Sequence, residues 1–265
     1  MNRYLTGVLS KVTGAFARLY LPYPINVGVL FLMAKLFGIN LKEAEKSLRH
    51  YSSFQALFTR KLKPDARPTA SQSLWVSPSD GTIADVFDLS EQNQLTIKQQ
   101  RYTPTVLCDI QEPLVEGVGV SFYLAPYNYH RFCMPFDAII NKVTHIPGPL
   151  YPVDTRFQSL MPSVFLKNER LVLTCVHQDV TSYVVLIGAL NVGKISLPWL
   201  PECKTNIMTA TKKVYPVQHS LKKGDELGYF EMGSSIVVLA PQIKTIDELN
   251  VKSGERILMG QALLR

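Results

Sequence analysis

Residues 227–240 read Leu-Gly-Tyr-Phe-Glu-Met-Gly-Ser-Ser-Ile-Val-Val-Leu-Ala. The last five of them, residues 236–240, form an apolar run of the kind found in a strand that is buried on both faces. The small residues just before this run indicate a turn. The stretch therefore predicts a Gly233–Ser234 bond that joins a turn to a buried strand.

A Gly-Ser bond in this setting is well placed for self-cleavage. Glycine leaves its carbonyl group open to attack and tolerates strained dihedral angles. The Ser234 hydroxyl can reach the Gly233 carbonyl in an N-to-O acyl shift, and β-elimination from the resulting ester would turn Ser234 into an N-terminal pyruvoyl group. The pyruvoyl ketone can form a Schiff base with an amine. A plain turn remains the alternative for these residues.

Two distant segments supply further reactive groups. Residues 77–83 place Asp80 at a turn between two β-like runs, and residues 125–131 place His130 directly after the β-like run 120–124. A nucleophile, an acid and an imidazole at strand-to-turn junctions are typical of a site on a rigid β scaffold. We therefore take Asp80, His130 and Ser234 as candidate catalytic residues.

The same segments resemble those of the phosphatidylserine decarboxylases, a pyruvoyl-dependent family, in its prokaryotic membrane-associated type. The resemblance runs from about residue 40 to the C-terminus, with the motifs in the family's order. It is carried by Phe54–Pro64, Asp80-Gly81, the segment Tyr129-His130-Arg131-Phe132-Cys133-Met134-Pro135, Asn168-Glu169-Arg170 and Gly233-Ser234-Ser235.

The resemblance implies an enzyme of phospholipid biosynthesis that converts phosphatidylserine to phosphatidylethanolamine and CO2. It implies self-cleavage at Gly233–Ser234 into chains 1–233 and 234–265, which stay together as a heterodimer, with pyruvate as the cofactor in the form of a pyruvoyl group made from Ser234. Asp80 would belong to the self-cleavage relay, and His130 would protonate the carbanion left by CO2. Whether two heterodimers pair stays open.

Cys133 departs from the family pattern. The family normally has a second histidine at this position, which pairs with the acid and serves as the base for self-cleavage. A thiol with an unperturbed pKa of roughly 8.5 is mostly protonated at neutral pH, and a nearby carboxylate would raise its pKa further. We therefore expect Cys133 to be a poor base at a relay position, with His130 or a water bound to Asp80 acting more slowly in its place.

Two other functions stay open. A serine hydrolase would use Ser234, His130 and Asp80 on an external bond, although the Gly-x-Ser-x-Gly elbow is missing. An uncleaved, inactive lipid-binding relative would follow if the loss of the second histidine stopped maturation.

Composition limits the class of protein. With 265 residues, 46% of them hydrophobic and 18% charged, the chain can build a sizeable core. A net charge of +7 suits nucleic acid or an anionic membrane, and since no nucleic-acid-binding motif is present we expect the membrane. The four cysteines and five histidines show neither Cys-x-x-Cys nor metal-ligand spacing, so we expect no metal and a reducing compartment.

The first 62 residues predict a helical membrane-associating region. The longest apolar run near the N-terminus, residues 27–34, is far shorter than the ~20 residues that span a bilayer. Residues 4–11 and 16–21 instead suggest amphipathic interfacial helices, which places the protein peripherally on the cytoplasmic side of the cell membrane. A helical pair packed on the catalytic core is the alternative. We expect a further helix to open at Asn40, with Glu43 completing a capping box.

Residues 63–265 predict a β-rich catalytic domain. A Pro-containing linker covers residues 61–73, and short β-like runs separated by Gly and Pro follow it. Two similar segments, 221–228 and 251–260, each contain a Lys-x-Gly sequence that we interpret as a structural turn. The expected fold class is therefore α+β: a mainly antiparallel, sandwich-like β domain with N-terminal amphipathic helices.

Overall fold

The structure is a computed structural model that describes residues 8, 12–89, 95–97, 100–112, 114, 116–153, 163–190, 194–207, 210–231 and 234–264. Residues 12–17 are helical. The other helices are α1 (Ile25–Phe37), α2 (Phe54–Phe58), α3 (Pro104–Cys108) and α4 (Val164–Lys167), with 3-10 turns at Leu48–His50 and Ile246–Glu248. The strands are β1 (Gly81–Asp88), β2 (Leu95–Ile97), β3 (Gln100–Tyr102), β4 (Val118–Leu124), β5 (Arg131–Cys133), β6 (Ala138–Ile146), β7 (Arg170–His177), β8 (Val180–Ile187), β9 (Ile195–Ser196), β10 (Lys213–Leu221), β11 (Glu226–Phe230), β12 (Ser234–Ala240) and β13 (Arg256–Ile257).

One large antiparallel sheet carries the fold. Its eight strands follow the order β10-β6-β7-β8-β12-β4-β1-β13, while β5, β11 and β9 form a smaller sheet and β2 pairs with β3. Strand β12 lies between β4 and β8, and all seven of its residues are buried. The predicted α+β class with mainly antiparallel strands is therefore confirmed, and so is the buried strand at residues 236–240.

The hydrophobic core has two parts. The larger cluster fills the sheet region between Trp75 and Leu263. The smaller cluster is built by the N-terminal helices and their connections, and its buried members lie between Ala17 and Phe58. The Phe58 ring at the edge of this smaller cluster contacts the His130 ring, with the two centroids 4.2 Å apart. The N-terminal region therefore reaches a residue predicted to belong to the site.

The helix expected to open at Asn40 does not form. The Asn40 side chain accepts a hydrogen bond from the Lys42 amide, which makes a short turn. The next residues are extended and pair with a distant segment: Glu45 N donates to Lys61 O, and Lys63 N donates to Glu43 O. The prediction was wrong because these long-range bonds satisfy backbone groups that a helix would otherwise pair locally. The Glu43 side chain binds Arg67 instead of completing a capping box.

The two Lys-x-Gly segments are turns, as predicted. Gly224 and Gly254 have φ angles of 90° and 88°, a region that L side chains rarely adopt. The acidic residue after each glycine accepts a hydrogen bond from the amide two residues before that glycine. Each glycine amide also donates to a strand segment: Gly224 to Met134 O and Gly254 to Ile83 O. The turns therefore hold the segments that contain Cys133 and Asp80.

Candidate active site

Two chain corners bring His130 and Ser234 to the same place. In the antiparallel pair β4–β12, Ser234 lies opposite Leu124, the last residue of β4. Beyond Leu124 the chain turns and reaches His130, whose carbonyl accepts a hydrogen bond from Phe230 N, 2.9 Å away, at the end of β11. The corner after β4 therefore lies against the corner between β11 and β12. We call Leu124, His130, Phe230 and Ser234 the reaction corner.

Ser234 is the first residue of β12 and is fully buried. Its hydroxyl has no hydrogen-bond partner in the described part of the chain. A buried hydroxyl without a partner is unfavourable and calls for an explanation, such as a reactive role. The other half of the predicted cleavage site, Gly233, lies outside the described residues, as does Met232.

His130 is also fully buried, and its two ring nitrogens differ. Nδ1 lies 2.9 Å from Asn128 O and donates to it, because a carbonyl oxygen can only accept. Nε2 has no partner among the residues described, so it presents a free lone pair when the ring is neutral. Burial lowers the pKa of His130 to about 3, and the nearby Arg60 charge adds to this lowering. His130 is therefore neutral at physiological pH and can accept a proton at Nε2.

Asp80 is bound by a guanidinium. Arg67 donates from Nε to Oδ1 at 2.7 Å and from Nη2 to Oδ2 at 2.6 Å, and Met259 N donates to Oδ1 at 3.0 Å. Arg67 also contacts Glu43 at 3.0 Å. Burial disfavours the Arg67 cation, but its hydrogen bonds to Asp80 and Glu43 outweigh burial and raise its pKa. We call Glu43, Arg67, Asp80, Cys133 and Met259 the acid cluster.

The acid cluster lies at the same end of the sheet as Ser234. Thr82 pairs with Tyr123, so the preceding Gly81 lies opposite Leu124, which in turn faces Ser234 on its other side. Two strand spacings, about 10 Å, therefore separate Gly81 from Ser234. A Cβ atom at Gly81 would lie 2.6 Å from Tyr123 O, so this Asp-Gly pair requires its glycine.

Cys133 is buried beside this carboxylate. Its amide donates to Pro78 O at 2.8 Å, and its thiol lies 3.6 Å from Ser77 O, to which it donates. Burial raises the pKa of the Cys133 thiol to about 12, and the charges of Asp225 and Asp80 add to the rise. The thiol is therefore protonated at neutral pH and cannot act there as a base.

The structure thus divides the predicted site residues into two groups. His130 and Ser234 share the reaction corner without a hydrogen bond between Nε2 and Oγ, since both atoms are unpartnered within the described ranges. Asp80 and Cys133 lie together in the acid cluster. Among the described residues, no group of three or more His, Cys, Asp and Glu side chains could hold a metal ion.

Sequence reasoning missed three charged residues near the site. Arg67 falls in the segment that we interpreted as a linker, and only its pairing with Asp80 reveals it. Glu231 is buried before the predicted cleavage position and pairs with Arg18 at 2.8 Å and Lys194 at 2.9 Å. Arg60 is buried near His130; its place in the family-like stretch from Phe54 to Pro64 was the one signal that could have found it.

The segment Asn168-Glu169-Arg170 is structural. The Arg170 guanidinium donates to carbonyl oxygens of α3, of α4 and of Asn168. The Asn168 side chain donates to Tyr151 O and Gly188 O, and Glu169 contacts His145 at 2.8 Å. These bonds hold loops onto the sheet, which explains the segment without a role in chemistry.

Comparison with known proteins identifies the family. Residues 54–265 match the sequence model of a family described as phosphatidylserine decarboxylase. A phosphatidylserine decarboxylase proenzyme of Helicobacter pylori (strain ATCC 700392 / 26695) is 35% identical over 261 residues, which cover 96% of this chain and 97% of the relative. Proenzymes with the same name from Psychrobacter cryohalolentis and Coxiella burnetii (strain Dugway 5J108-111) are each 34% identical, covering 96% and 80% of this chain and 93% and 77% of the relatives.

A family match over most of the chain, together with relatives of this similarity, establishes the class of protein. The chain belongs to the phosphatidylserine decarboxylase family, as its motifs predicted, and it is an enzyme of that type.

Proposed function

We propose that this chain is a pyruvoyl-dependent decarboxylase that converts phosphatidylserine to phosphatidylethanolamine and CO2 after cleaving itself between Gly233 and Ser234. One observation carries the proposal: the Ser234 hydroxyl and His130 Nε2 are both buried in one corner, and both lack a partner among the described residues. A nucleophile and a base left unpaired in this way are suited to a covalent step. Membership of the family supports the substrate.

In maturation, His130 Nε2 accepts the Ser234 hydroxyl proton, and Oγ attacks the Gly233 carbonyl carbon. The Oγ–C bond forms and the C–N bond breaks, and His130 returns the proton to the leaving nitrogen, which leaves an ester and a free amine. Elimination then removes the Ser234 Cα proton, breaks the Cβ–Oγ bond and releases the Gly233 carboxylate. Hydrolysis of the remaining enamine consumes one water, releases ammonia and leaves the pyruvoyl group. The protonated Cys133 thiol takes no proton, and Asp80 contributes its charge from a position fixed by Arg67.

In decarboxylation, the pyruvoyl group supplies the electron sink for the carbanion that forms when CO2 leaves. Ser234 is a suitable precursor of the pyruvoyl group, because its side chain is buried and its hydroxyl makes no hydrogen bond within the described residues that conversion would break. His130 Nε2, neutral in the resting chain, takes a proton from the substrate's ammonium group and returns it as the replacement proton, while Nδ1 remains bonded to Asn128 O. The buried corner excludes water, which favours loss of the carboxylate charge.

The two chains stay together as a heterodimer through the β4–β12–β8 pairing.

Intact mass spectrometry of purified, active protein tests this proposal. We expect two chains, residues 1–233 and 234–265, with the second chain lacking the serine nitrogen and resisting N-terminal sequencing. Phosphatidylserine labelled in its carboxyl group should release labelled CO2. A full-length mass in active protein that reacts with a serine-directed phosphonate would favour the hydrolase. A full-length mass without activity or labelling would favour the lipid-binding relative.

The N-terminal region, residues 1–62, is in this proposal the part that associates with the cytoplasmic face of an anionic membrane. None of the helices in the described part of the chain is both long and apolar enough to cross a bilayer. Many large apolar side chains of this region are nevertheless exposed: Phe16, Leu19, Tyr20, Tyr23, Ile25, Phe31, Leu32 and Leu36. Together with the net charge of +7, this surface suits an interfacial position.

Vesicle flotation tests this role. Leu32→Glu combined with Leu36→Glu should reduce flotation with anionic vesicles, and salt should weaken the binding of wild-type protein. Leu74→Glu is the matched control, because Leu74 is equally exposed but lies after the N-terminal region. Equal flotation of all three proteins would exclude the N-terminal region as the membrane contact.

A further inference from the structure

Arg60 is a buried cation with almost no hydrogen bonds. Its exposed fraction is 3%. Its one side-chain hydrogen bond within the described residues is a long one, 3.5 Å from Nη1 to Phe58 O. Nε has no partner, and no described carboxylate lies within ion-pair distance of the guanidinium. A guanidinium has five N–H donors, so most of the hydrogen-bonding capacity of Arg60 is unused.

Two other arginines, with side chains that are at most 9% exposed or belong to buried residues, are satisfied. Arg67 binds the carboxylates of Asp80 and Glu43. Arg170, like Arg60, has no carboxylate partner among the described residues, but it donates to four carbonyl oxygens at 2.7 to 3.4 Å. Removing a charge from water is unfavourable unless other groups replace the lost hydration. Of these three arginines, only Arg60 has most of its N–H donors without an acceptor among the described residues. Free N–H donors of this kind are what an anion-binding residue requires.

The position of Arg60 adjoins the reaction corner. Arg60 follows α2, and Phe58 of this helix contacts the His130 ring in a tilted arrangement. The intervening Thr59 carbonyl accepts a hydrogen bond from Arg131 Nε at 2.9 Å, which holds the segment against the start of β5. The Arg60 charge is close enough to contribute to the lowered pKa of His130. An anion bound by Arg60 would therefore lie beside the group that handles the proton.

We propose that Arg60 binds the phosphodiester of the lipid headgroup. This inference rests on the proposed function, and two headgroup anions could in principle meet a guanidinium. The substrate carboxylate loses its charge as CO2 departs, so a cation paired with it would stabilise the ground state and oppose the reaction. The phosphodiester keeps its charge in substrate, transition state and product. Its oxygens also match the bidentate geometry of a guanidinium.

A residue that binds substrate and transition state equally changes KM and leaves kcat nearly unchanged. The experiment uses matured enzyme, with the cleaved fraction measured by gel, and a soluble short-chain phosphatidylserine as substrate. Arg60→Met should raise KM by about tenfold or more with kcat within about threefold, the size expected for loss of a charge-assisted pair. Arg60→Lys should fall between. Arg49→Met removes an exposed charge and should behave like wild type.

Direct binding identifies the anion. Glycerophosphocholine carries the phosphodiester without a carboxylate, N-acetylserine carries the carboxylate without a phosphate, and neither has an amine that could react with a ketone. In calorimetry, Arg60→Met should weaken the affinity for glycerophosphocholine by about tenfold and leave the affinity for N-acetylserine unchanged. The reverse pattern would assign Arg60 to the carboxylate and overturn the proposal. Unchanged affinity for both probes would also overturn it.

Three further outcomes remain distinguishable. If Arg60→Met does not fold or mature, Arg60→Lys and wild type are sufficient, because failure of glycerophosphocholine to compete with substrate in wild type overturns the proposal. If wild type releases no CO2 but binds glycerophosphocholine through Arg60, the proposed function fails and the anion site stands. If CO2 is released and Arg60→Met matches wild type, the Arg60 proposal alone fails.

Discussion

The acid cluster and the reaction corner lie at the same end of the sheet, yet their hydrogen bonding is opposite. Both oxygens of Asp80 are occupied, by Arg67 and by the Met259 amide. In the reaction corner, by contrast, the Ser234 hydroxyl and His130 Nε2 are buried without partners among the described residues, and Arg60 Nε beside it is in the same state.

This difference suggests different roles for the two regions: the acid cluster is suited to stabilising the fold, and the reaction corner is suited to chemistry. A carboxylate held by two guanidinium nitrogens is positioned and neutralised, so it has little capacity left to move protons. The unpaired groups of the reaction corner are unfavourable in the resting chain and become useful only when a reacting group arrives. Position 133 is a buried cysteine, and the partner of the Asp80 carboxylate is the Arg67 guanidinium.

The largest expected effect comes from removing the nucleophile. Ser234→Ala should abolish both chain splitting and decarboxylation, because no other atom can supply the ester oxygen and the pyruvoyl carbons. Denaturing gels and CO2 release measure the two effects. Ser235→Ala is the matched control and should still split, since Ser235 is also buried and its hydroxyl has no partner in the part of the chain that the structure describes. Splitting of Ser234→Ala would place the cleavage elsewhere.

Removing the base should have the next largest effect. His130→Asn should slow splitting by about 100-fold or more, since a positioned general base contributes roughly 10²–10⁴-fold. A time course of splitting after cell-free synthesis measures the rate.

Variants at position 133 provide the controls for this rate. Cys133→Ala should split within about threefold of wild type, because a thiol with a pKa of about 12 holds its proton at neutral pH. Cys133→His, which places an imidazole beside Asp80, should split faster than wild type and leave the decarboxylation rate of matured enzyme nearly unchanged. If wild type splits quickly and Cys133→Ala does not split, the thiol is the base after all.

A smaller effect, on stability, tests the acid cluster. Arg67→Met leaves the buried Asp80 carboxylate without its cation and should lower the free energy of unfolding by about 3–5 kcal/mol. Urea unfolding of the Ser234→Ala background measures this without interference from splitting. Lys222→Met breaks an exposed ion pair with Asp137 at 3.5 Å and should change stability by less than about 1 kcal/mol. Equal losses of stability in Arg67→Met and Lys222→Met would mean that the Arg67–Asp80 pair does not stabilise the fold.

The smallest effect is the pH dependence of stability due to His130. Its pKa falls from 6.5 to about 3 on folding, so the unfolded chain binds the proton first as the pH drops. The stability contributed by neutral His130 is therefore complete above pH 6.5 and is lost as the pH falls towards 3, by at most about 1.4 kcal/mol per pH unit.

Urea unfolding between about pH 7 and pH 5 measures this slope in the uncleaved background. Ser234→Ala should lose more stability over the range than Ser234→Ala with His130→Gln. Ser234→Ala with His50→Gln, which changes an exposed histidine, should follow Ser234→Ala. Parallel curves for all three proteins would contradict the assignment of a buried neutral imidazole.

Local patterns in the sequence were sufficient to predict the buried strand that follows the predicted cleavage position. The apolar run 236–240 predicted a buried strand because its residue types suit burial on both faces, and β12 is that strand. Asp80, His130 and Ser234 were predicted as site residues from residue type, position and family resemblance, and their roles stay predictions. The two Lys-x-Gly turns followed from the conformational freedom of glycine, and their positive φ angles agree with it.

The tertiary structure alone showed which side chains meet across long stretches of sequence. Arg67 lies in a polar, Pro-containing segment whose composition indicates only a linker, but its fold brings the guanidinium to Asp80. Residues 40–47 have the composition of a helix start, and pairing with residues 61–63 overrides it. Nothing in the sequence indicates that Arg60 is buried with no carboxylate partner among the described residues. Propensities act over a few residues, whereas burial and charge pairing depend on contacts between segments that only the folded chain brings together.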